Sequence, residues 1–423
     1  MNMLEEISDS LPAIVRIKGT QICLQCRFSR LLCGRPKCPI LIKLNSFVKG
    51  SQAIDRKIET DLPPSAFVGR LGYPKVTFGP LLPSRRGETS IFDEPEMWRS
   101  LSFEEIVNFR MSMVRAKVST DINSASDPSG LLYETQLSLL SSRPVYAEFS
   151  LKSSIKPVYY IDDTSAPFGP SAGVESYRFG NTTADRRVEK VYYDKDMKSV
   201  EAVIKLYETG LTVNSIQKIF SLGMTGLSRK RKLVPTRWSI TAVDDILSNY
   251  LLEQVKMMQG IDLFHVFVSD MLGSRYVIMI LPGNFAYEWI EAWFPGTVWN
   301  PSGKNVSSIA DHEGFSGRKT YALPGGCYYS VRLAAAEYLS RVRRQGVVIA
   351  LREIYPGQLL PLGVWNVREA VRQAFETQPY LFDNFSDALN FALSKLKLNK
   401  DFWKSKSYLI KEMSEQKRID RYY

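Results

Sequence analysis

Four cysteines lie within sixteen residues near the amino terminus of a 423-residue chain that contains five in all. They follow the pattern C-x2-C-x6-C-x4-C and are Cys23, Cys26, Cys33 and Cys38. A CxxC pair offers two thiolates to one ion from a tight turn, and a second pair completes the tetrahedral shell that zinc prefers. The spacing therefore predicts a structural zinc site. Four cysteines also suit an iron–sulfur cluster, and that alternative stays open.

Basic residues surround these cysteines, with eight Lys or Arg and no acid between residues 10 and 54. Their charge either balances a four-thiolate zinc site or contacts the phosphates of a nucleic acid. A second basic cluster lies mid-chain at residues 229–232. These side chains either form a phosphate-binding patch or belong to ordinary solvated surface. The nucleic-acid-binding candidates are Arg27, Arg30, Arg35, Lys37, Arg229, Lys230, Arg231 and Lys232.

A third group follows the mid-chain basic cluster, where an arginine precedes two hydroxyl side chains: Arg237, Ser239 and Thr241. An arginine beside hydroxyls that begin a helix can hold an anion or the phosphate of a nucleotide. The alternative is ordinary helix capping next to a buried Trp238. The order of these residues, an Arg, then Ser-x-Thr, then a later Glu, also fits an NAD-consuming ADP-ribosyl transferase. NAD or another nucleotide is therefore a candidate cofactor. The sequence contains no Walker A, Rossmann glycine or HExxH motif.

The chain ends in QKRIDRYY, which matches Q-x-x-h-x-x-a-a, the box that binds the sliding clamp PCNA. In such a box a short helical turn places one aliphatic and two aromatic side chains in an apolar pocket, with the glutamine amide beside them. The alternative is a frayed end of an amphipathic helix. The predicted clamp-binding residues are Gln416, Ile419, Tyr422 and Tyr423.

Composition restricts the class of protein further. Fifty-five Lys and Arg against 44 Asp and Glu give a net charge of +11, which favours a polyanionic partner such as DNA. The sequence has no run of 18 uncharged apolar residues, and its amino terminus is acidic where a secretory signal would be basic and then apolar. We therefore expect no membrane association and a cytoplasmic, nucleoid-associated location.

The order of predicted elements is typical of a mixed α/β fold. We predict a zinc knuckle over residues 1–58, a mixed α/β core over 59–393, and a flexible basic tail over 394–423 that carries the clamp box. Ser102 and Glu105 form a capping box that opens a helix to about residue 117. Further helices are predicted at 199–208, 214–221, 239–258, 330–344 (capped by Gly346) and 364–376, and strands at 145–151, 191–193, 263–269, 276–281 and 347–354.

These features together resemble the archaeal Nre DNA repair protein family. The resemblance is carried by the four cysteines and by several blocks of sequence: FVGRLGYPKV (67–76), RKLVPTRWSITAVDD (231–245), GRKTYA (317–322), YYSVRLAAAEYL (328–339), RRQGVVIALREIYPG (343–357) and PLGVWNVREAVRQA (361–374). It implies a role in the repair of damaged DNA, with a clamp-binding tail in the clamp-interacting branch of the family. It implies no reaction.

Two hypotheses about function follow. In the first, the protein is a DNA-binding repair factor that the clamp recruits and that performs no chemistry. In the second, it is a clamp-tethered enzyme that acts on DNA ends or lesions, such as an NAD- or nucleotide-dependent (ADP-ribosyl) transferase. A pocket that joins Arg237, Ser239 and Thr241 to a carboxylate would favour the enzyme, and a basic face would favour the binding factor.

Overall fold

The computed structural model describes residues 15–18, 26, 30–51, 56–153, 159–162, 168–301 and 303–415. Over these residues the chain forms fourteen strands and twelve α-helices, which confirms the predicted mixed α/β class. The chain divides into two compact units. The first unit comprises Met1–Leu32 and Lys37–Ile246, and the second comprises Cys33–Pro36 and Leu247–Tyr423. The boundary between them falls within residues 59–393, which the sequence predicts to form one core.

The first unit is built on a six-stranded sheet in the order β2-β6-β8-β5-β4-β3. All neighbouring strands are antiparallel except β5 and β8, which are parallel. A separate parallel pair joins β1 to β7. The strands are β1 Val15–Lys18, β2 Lys57–Leu62, β3 Ala66–Val68, β4 Lys75–Pro83, β5 Met113–Asp121, β6 Val145–Leu151, β7 Tyr159–Asp162 and β8 Ser171–Phe179. The helices are α1 Pro39–Ser51, α2 Phe103–Ser112, α3 Gly130–Leu140, α4 Arg186–Tyr193, α5 Ser199–Glu208, α6 Val213–Ser221 and α7 Thr236–Val255, of which α7 continues into the second unit.

Helix α2 begins where its capping box predicts. The Glu105 amide donates to Ser102 Oγ at 3.3 Å, and the Ser102 amide donates to Glu105 Oε2 at 2.7 Å. The helix ends at Ser112, so the prediction that it continues to 117 is wrong. From Met113 the chain is strand β5, because its backbone pairs with β4 on one side and with β8 on the other. The predicted strand at 191–193 is also wrong, since these residues form the last turn of α4.

The second unit is built on another six-stranded sheet, in the order β12-β11-β13-β10-β9-β14, with only β11 and β13 parallel. Its strands are β9 Phe264–Met271, β10 Ser274–Leu281, β11 Ala286–Trp293, β12 Ser307–Glu313, β13 Val347–Ile354 and β14 Tyr380–Phe382. Its helices are α8 Gly326–Val342, α9 Trp365–Ala374, α10 Phe385–Ser394, α11 Lys400–Lys406 and α12 Tyr408–Glu415. Strand β13 is buried along its whole length, including Arg352 and Glu353, which follow its apolar run at residues 347–351. Helix α8 ends on Arg343 in the left-handed conformation (φ 53°), three residues before the predicted Gly346 cap.

The last three helices belong to the folded second unit. One face of the sheet packs against α10, α11 and α12, with Trp403, Leu409 and Ile410 buried in that core. The prediction of a flexible tail beginning at residue 394 is therefore wrong for residues 394–415. Four of the six lysines in this segment, Lys400, Lys404, Lys406 and Lys411, are exposed on short helices. Residues 416–423, which contain the predicted clamp box, lie outside the described residues.

Within the described residues, no helix combines the length and the apolar character that are needed to cross a bilayer.

Candidate nucleic-acid interface

A basic groove of about 340 Å³ lies on the first unit, where the β3–β4 hairpin meets β5 and the start of β8. The ten residues that line it include three cations and no acid. They are Phe67, Gly69, Arg70, Leu71, Thr77, Phe78, Arg115, Ala116, Lys117 and Ser171. Because its cations meet no acidic neighbour in the lining, the groove suits an anionic ligand. We refer to these ten residues as the basic groove.

Strand alternation places the cations in the groove. Along β5, Val114 and Ala116 are buried, whereas Arg115 and Lys117 alternate with them and are more exposed. On β4, Gly79 lies so close to β5 that a Cβ atom there would be 2.0 Å from the carbonyl oxygen of Ala116. Only glycine therefore lets the two strands approach beneath the groove.

Aromatic rings hold Arg115 in position. Its guanidinium lies 5.5 Å from the ring centre of Phe67 and 5.4 Å from that of Phe168, and its Nε donates to the carbonyl of Gly169 at 3.2 Å. Stacking of this kind fixes the plane of a guanidinium while the cation keeps its charge. Phe168 is itself 41% exposed, so apolar ring surface borders the cations.

Arg70 and Lys117 are exposed cations at the same groove. In the part of the chain that the structure describes, neither forms an ion pair with a carboxylate. Exposed and unneutralised, their charges are available to phosphate oxygens. The Arg70 side chain belongs to the loop between β3 and β4, where Gly72 adopts a positive φ of 85° and its carbonyl accepts from the Lys75 amide at 2.9 Å.

An exposed aromatic pair adjoins the basic groove. The rings of Tyr73 and Trp238 are 5.2 Å apart and tilted by 57°, and the two side chains are 50% and 46% exposed. The Val68 amide donates to Thr236 Oγ1 at 2.9 Å, which fixes the first turn of α7 beside β3. Tyr73 follows Arg70 by three residues, so their Cα atoms are at most about 11 Å apart. We refer to Tyr73 and Trp238 as the aromatic pair.

The predicted phosphate cradle of Arg237, Ser239 and Thr241 is not assembled. All three residues lie on α7, but Ser239 is fully buried and its hydroxyl donates to the carbonyl of Gln217 on α6. Arg237 is exposed beside Trp238, and Thr241 is half-buried. Trp238, which the helix-capping alternative expected to be buried, is 46% exposed. Ser239 therefore joins two helices, and Arg237 adds a further cation next to the aromatic pair.

The mid-chain basic cluster is divided between surface and core. Arg229, Lys230 and Lys232 are exposed. Arg231 is 8% exposed and donates to the carbonyls of Gly226 and Asp194, both at 2.9 Å. Arg231 therefore supports the local fold, and the other three keep their predicted availability to phosphates.

The amino-terminal basic candidates are divided in a similar way. Arg30 is exposed, whereas Arg35 is 4% exposed and its Nε donates to the carbonyl of Gly296 at 3.1 Å. Lys37 is exposed and forms an ion pair with Glu104, which lowers the pKa of that carboxyl through the hydrogen bond between them. Arg27 lies outside the described residues.

Three of the four predicted zinc ligands are described, and they are not gathered into one group. Cys26 is buried, and Cys33 and Cys38 are half-buried. Over the described residues, no three His, Cys, Asp or Glu side chains are arranged to hold a metal ion. The fourth ligand, Cys23, lies outside that set, so the zinc site stays a prediction. The predicted clamp-binding residues Gln416, Ile419, Tyr422 and Tyr423 also lie outside the described residues.

The two carboxylates of the aromatic strand β11 have structural partners. Glu291 accepts from the indole nitrogens of Trp289 and Trp293 at 3.2 and 3.0 Å and lies 3.4 Å from Arg352 Nη1. Glu288 points to the opposite face of the sheet, where it accepts hydrogen bonds from the first turn of α12. Both carboxylates are occupied by neighbouring groups of the second unit.

Sequence reasoning did not identify the basic groove or the aromatic pair. Residues 67–76 carry part of the family resemblance, but no individual helix or strand is predicted there. The usable signal was the alternation of polar and apolar residues along Met113–Asp121, together with exposed aromatic and basic residues in a glycine-rich loop.

Comparison with known proteins assigns the chain to a family. Residues 32–300 match the model of the archaeal Nre amino-terminal domain, and residues 313–422 match that of the archaeal Nre carboxy-terminal domain. The chain belongs to the archaeal Nre family. The resemblance seen in the sequence is thereby confirmed. The ends of the two family models do not coincide with the boundary between the two compact units.

Members of the Nre family with curated names match over most of their length. DNA repair protein NreB of Archaeoglobus fulgidus is 43% identical over 390 residues, which cover 92% of this chain and 97% of that protein. DNA repair protein NreA of the same organism is 37% identical over 90% of this chain and 95% of its own length. DNA repair protein NreA of Haloferax volcanii is 34% identical over 335 residues, which cover 77% of this chain and 80% of that protein. No solved structure matches the chain.

Proposed function

We propose that this Nre protein is a DNA repair factor that binds DNA through the basic groove of its first unit. Three related proteins are named DNA repair proteins, which supports the repair role. The observation that carries the DNA-binding role is the groove itself, with three cations, no acid in its lining and exposed aromatic rings at its edge. Cations contact phosphates and aromatic rings contact bases, so this combination is typical of nucleic-acid surfaces.

The salt dependence of DNA binding tests the groove directly. Each phosphate contact contributes about 0.7 (single strand) to 0.9 (duplex) to the slope of log K against log salt concentration. The double variant Arg70→Ala/Lys117→Ala should therefore reduce that slope by about 1.4 to 1.8 if each cation contacts one phosphate. The measurement is fluorescence anisotropy with a labelled oligonucleotide at several salt concentrations.

A matched control removes one arginine and one lysine elsewhere on the first unit. Arg186 and Lys190 are both exposed on α4, and Arg186→Ala/Lys190→Ala makes the same change in net charge. We expect its salt slope to stay within about 0.3 of the unaltered protein. Equal reductions of the salt slope in the two double variants would mean that DNA binding depends on net charge and not on the basic groove.

We also propose that the last eight residues recruit the protein to the sliding clamp. Support comes from the match of Gln416, Ile419, Tyr422 and Tyr423 to a clamp-binding box. The adjoining helix α12 is packed on the second unit and ends at Glu415, so the box follows directly on a folded element. Deletion of 416–423 should abolish co-elution with an archaeal clamp and leave DNA affinity unchanged. Persistence of the complex would exclude this box as the site of contact.

The proposed zinc site is structural, with Cys23, Cys26, Cys33 and Cys38 as its ligands. It rests on the spacing of the four cysteines. In this role the zinc would stabilise the amino-terminal segment, whose basic residues include the exposed Arg30.

A further inference from the structure

We propose that the aromatic pair binds an unpaired base, so that the preferred ligand of the basic groove is single-stranded DNA. This inference rests on the DNA-binding function proposed above and specifies its substrate class. It joins two independent observations: the exposure of Trp238 and Tyr73, and the cationic groove that adjoins them.

The exposure of Trp238 sets it apart from the other tryptophans. The chain contains seven tryptophans, and the structure describes all of them. Four are at most 6% exposed and two are half-buried, whereas Trp238 is 46% exposed. Leaving a large apolar ring in water forgoes the free energy of its burial. Trp238 is not simply poorly packed, because it makes a ring contact with Tyr73.

The surroundings of the aromatic pair determine which ligand suits it. Arg237 is exposed next to Trp238, Lys75 is exposed two residues after Tyr73, and Arg70 lies three residues before it. An apolar partner would offer these cations no counter-charge, whereas a nucleotide offers a flat apolar base and an anionic phosphate. Stacking of bases on aromatic rings combined with a cationic path for phosphates is the usual basis of single-strand binding.

The tilt between the rings determines how a base can bind. Planes inclined by 57° cannot both lie flat against one base. The base therefore stacks on the indole of Trp238, which has the larger ring surface, and Tyr73 positions the indole. Inside a duplex both faces of a base are covered by its neighbours, so only an unpaired or extruded base can reach Trp238.

The decisive experiment compares single-stranded and duplex DNA with variants of the aromatic pair. Base stacking typically contributes about 5- to 150-fold to affinity for each base. Trp238→Ala should therefore weaken binding of a single-stranded oligonucleotide at least fivefold and change duplex binding by less than twofold. Trp238→Phe keeps an aromatic ring and should retain most of the affinity.

An exposed tyrosine elsewhere in the first unit, Tyr193, supplies the control. Tyr193 is 58% exposed and its ring lies 5.1 Å from that of Tyr192, yet it does not line the basic groove. Tyr193→Ala should leave single-strand affinity unchanged. Circular dichroism and thermal melting of each variant establish that it is folded before its affinity is compared.

An oligonucleotide series with one abasic position tests the stacking step itself. The abasic position that removes the stacked base should weaken binding of the unaltered protein and cause no additional loss with Trp238→Ala, because both changes remove the same contact. DNA should also quench the tryptophan fluorescence of the protein less in Trp238→Phe than in the unaltered protein. Additive losses throughout the abasic series would overturn the stacking assignment.

The outcomes separate this inference from the proposed function. If Arg70→Ala/Lys117→Ala weakens binding to both DNAs while Trp238→Ala changes neither, the groove binds DNA and the single-strand inference is wrong. If neither set of changes alters binding, both proposals fail. Tighter binding of single-stranded RNA of the same sequence would overturn the assignment to DNA.

Discussion

Glu288 is expected to be the main anchor of the carboxy-terminal helix α12. Its carboxylate is 1% exposed and accepts hydrogen bonds from the hydroxyl of Ser407 and from the amides of Tyr408 at 2.7 Å and Leu409 at 3.2 Å. All three partners donate to the two carboxyl oxygens of Glu288. Glu288→Ala leaves two helix amides without an acceptor, at a cost of about 1–3 kcal/mol each. We therefore expect the free energy of unfolding of the second unit to fall by about 2–6 kcal/mol.

Urea denaturation measures this loss, and hydrogen exchange locates it. The amides of Tyr408–Glu415 should exchange faster in Glu288→Ala, while those of the first unit should be unchanged. Glu412 lies exposed on the same helix, and Glu412→Ala should change stability by no more than about 0.5 kcal/mol. If Glu288→Ala had no larger effect than Glu412→Ala, the anchoring role would be refuted.

The same carboxylate has a dependence on pH whose sign follows from its burial. Burial raises the pKa of Glu288 above its ordinary value of 4.5, although the hydrogen bonds from Ser407, Tyr408 and Leu409 oppose this. A raised pKa means that the folded state binds the proton more tightly than the unfolded state. The contribution of Glu288 to the free energy of unfolding is therefore greatest below pH 4.5. It decreases as the pH rises through the raised pKa. Glu288→Gln should remove that decrease.

Three other changes test the fold and the metal. Gly79→Ala places a Cβ atom 2.0 Å from the carbonyl oxygen of Ala116, so we expect thermal melting to show a strongly destabilised first unit. Arg332→Ala leaves the buried Glu313 without its ion-pair partner at 3.0 Å, which should cost about 3–5 kcal/mol in urea denaturation; an unchanged midpoint would contradict this. Elemental analysis should find one zinc per chain, reduced in Cys26→Ser, and iron in its place would favour the cluster alternative.

Elements with strong local signals could be predicted from the sequence. Helix α5 occurs at the predicted residues 199–208 because Gly210, with a φ of 81°, ends the segment. Helix α6 follows because Thr212 caps it through the Ser215 amide. Both signals lie within a few residues of the element that they define, so a single sequence contains them in full.

Elements that depend on distant residues could not be predicted in this way. The helix from Ser102 was extended to 117 because nothing local stops it, whereas the change to strand at Met113 depends on pairing with β4 and β8. The position of the carboxy-terminal helices depends similarly on Glu288 and Glu353, whose carboxylates accept amide hydrogen bonds from residues more than forty positions away. Composition alone suggested a flexible tail there.

The candidate site was missed for a similar reason. Phe67, Arg115 and Ser171 are about fifty residues apart in sequence and meet only because β3, β4, β5 and β8 are neighbours in one sheet. Ser239 is buried and Trp238 is exposed because only one face of α7 packs against α6. Local sequence predicts a helix from residue 239, three residues after its observed start at Thr236, but the burial of each residue is decided by the elements that pack against it.

Photo-cross-linking tests the central claim most directly. A single-stranded oligonucleotide with 5-iodouracil at successive positions is irradiated in complex with the intact protein, and the modified peptides are identified by mass spectrometry. We expect cross-links at Trp238 or Tyr73 and within residues 67–77, and Arg70→Ala/Lys117→Ala should suppress them. Cross-links confined to peptides of the second unit would contradict the assignment of the basic groove and the aromatic pair as the DNA-binding surface.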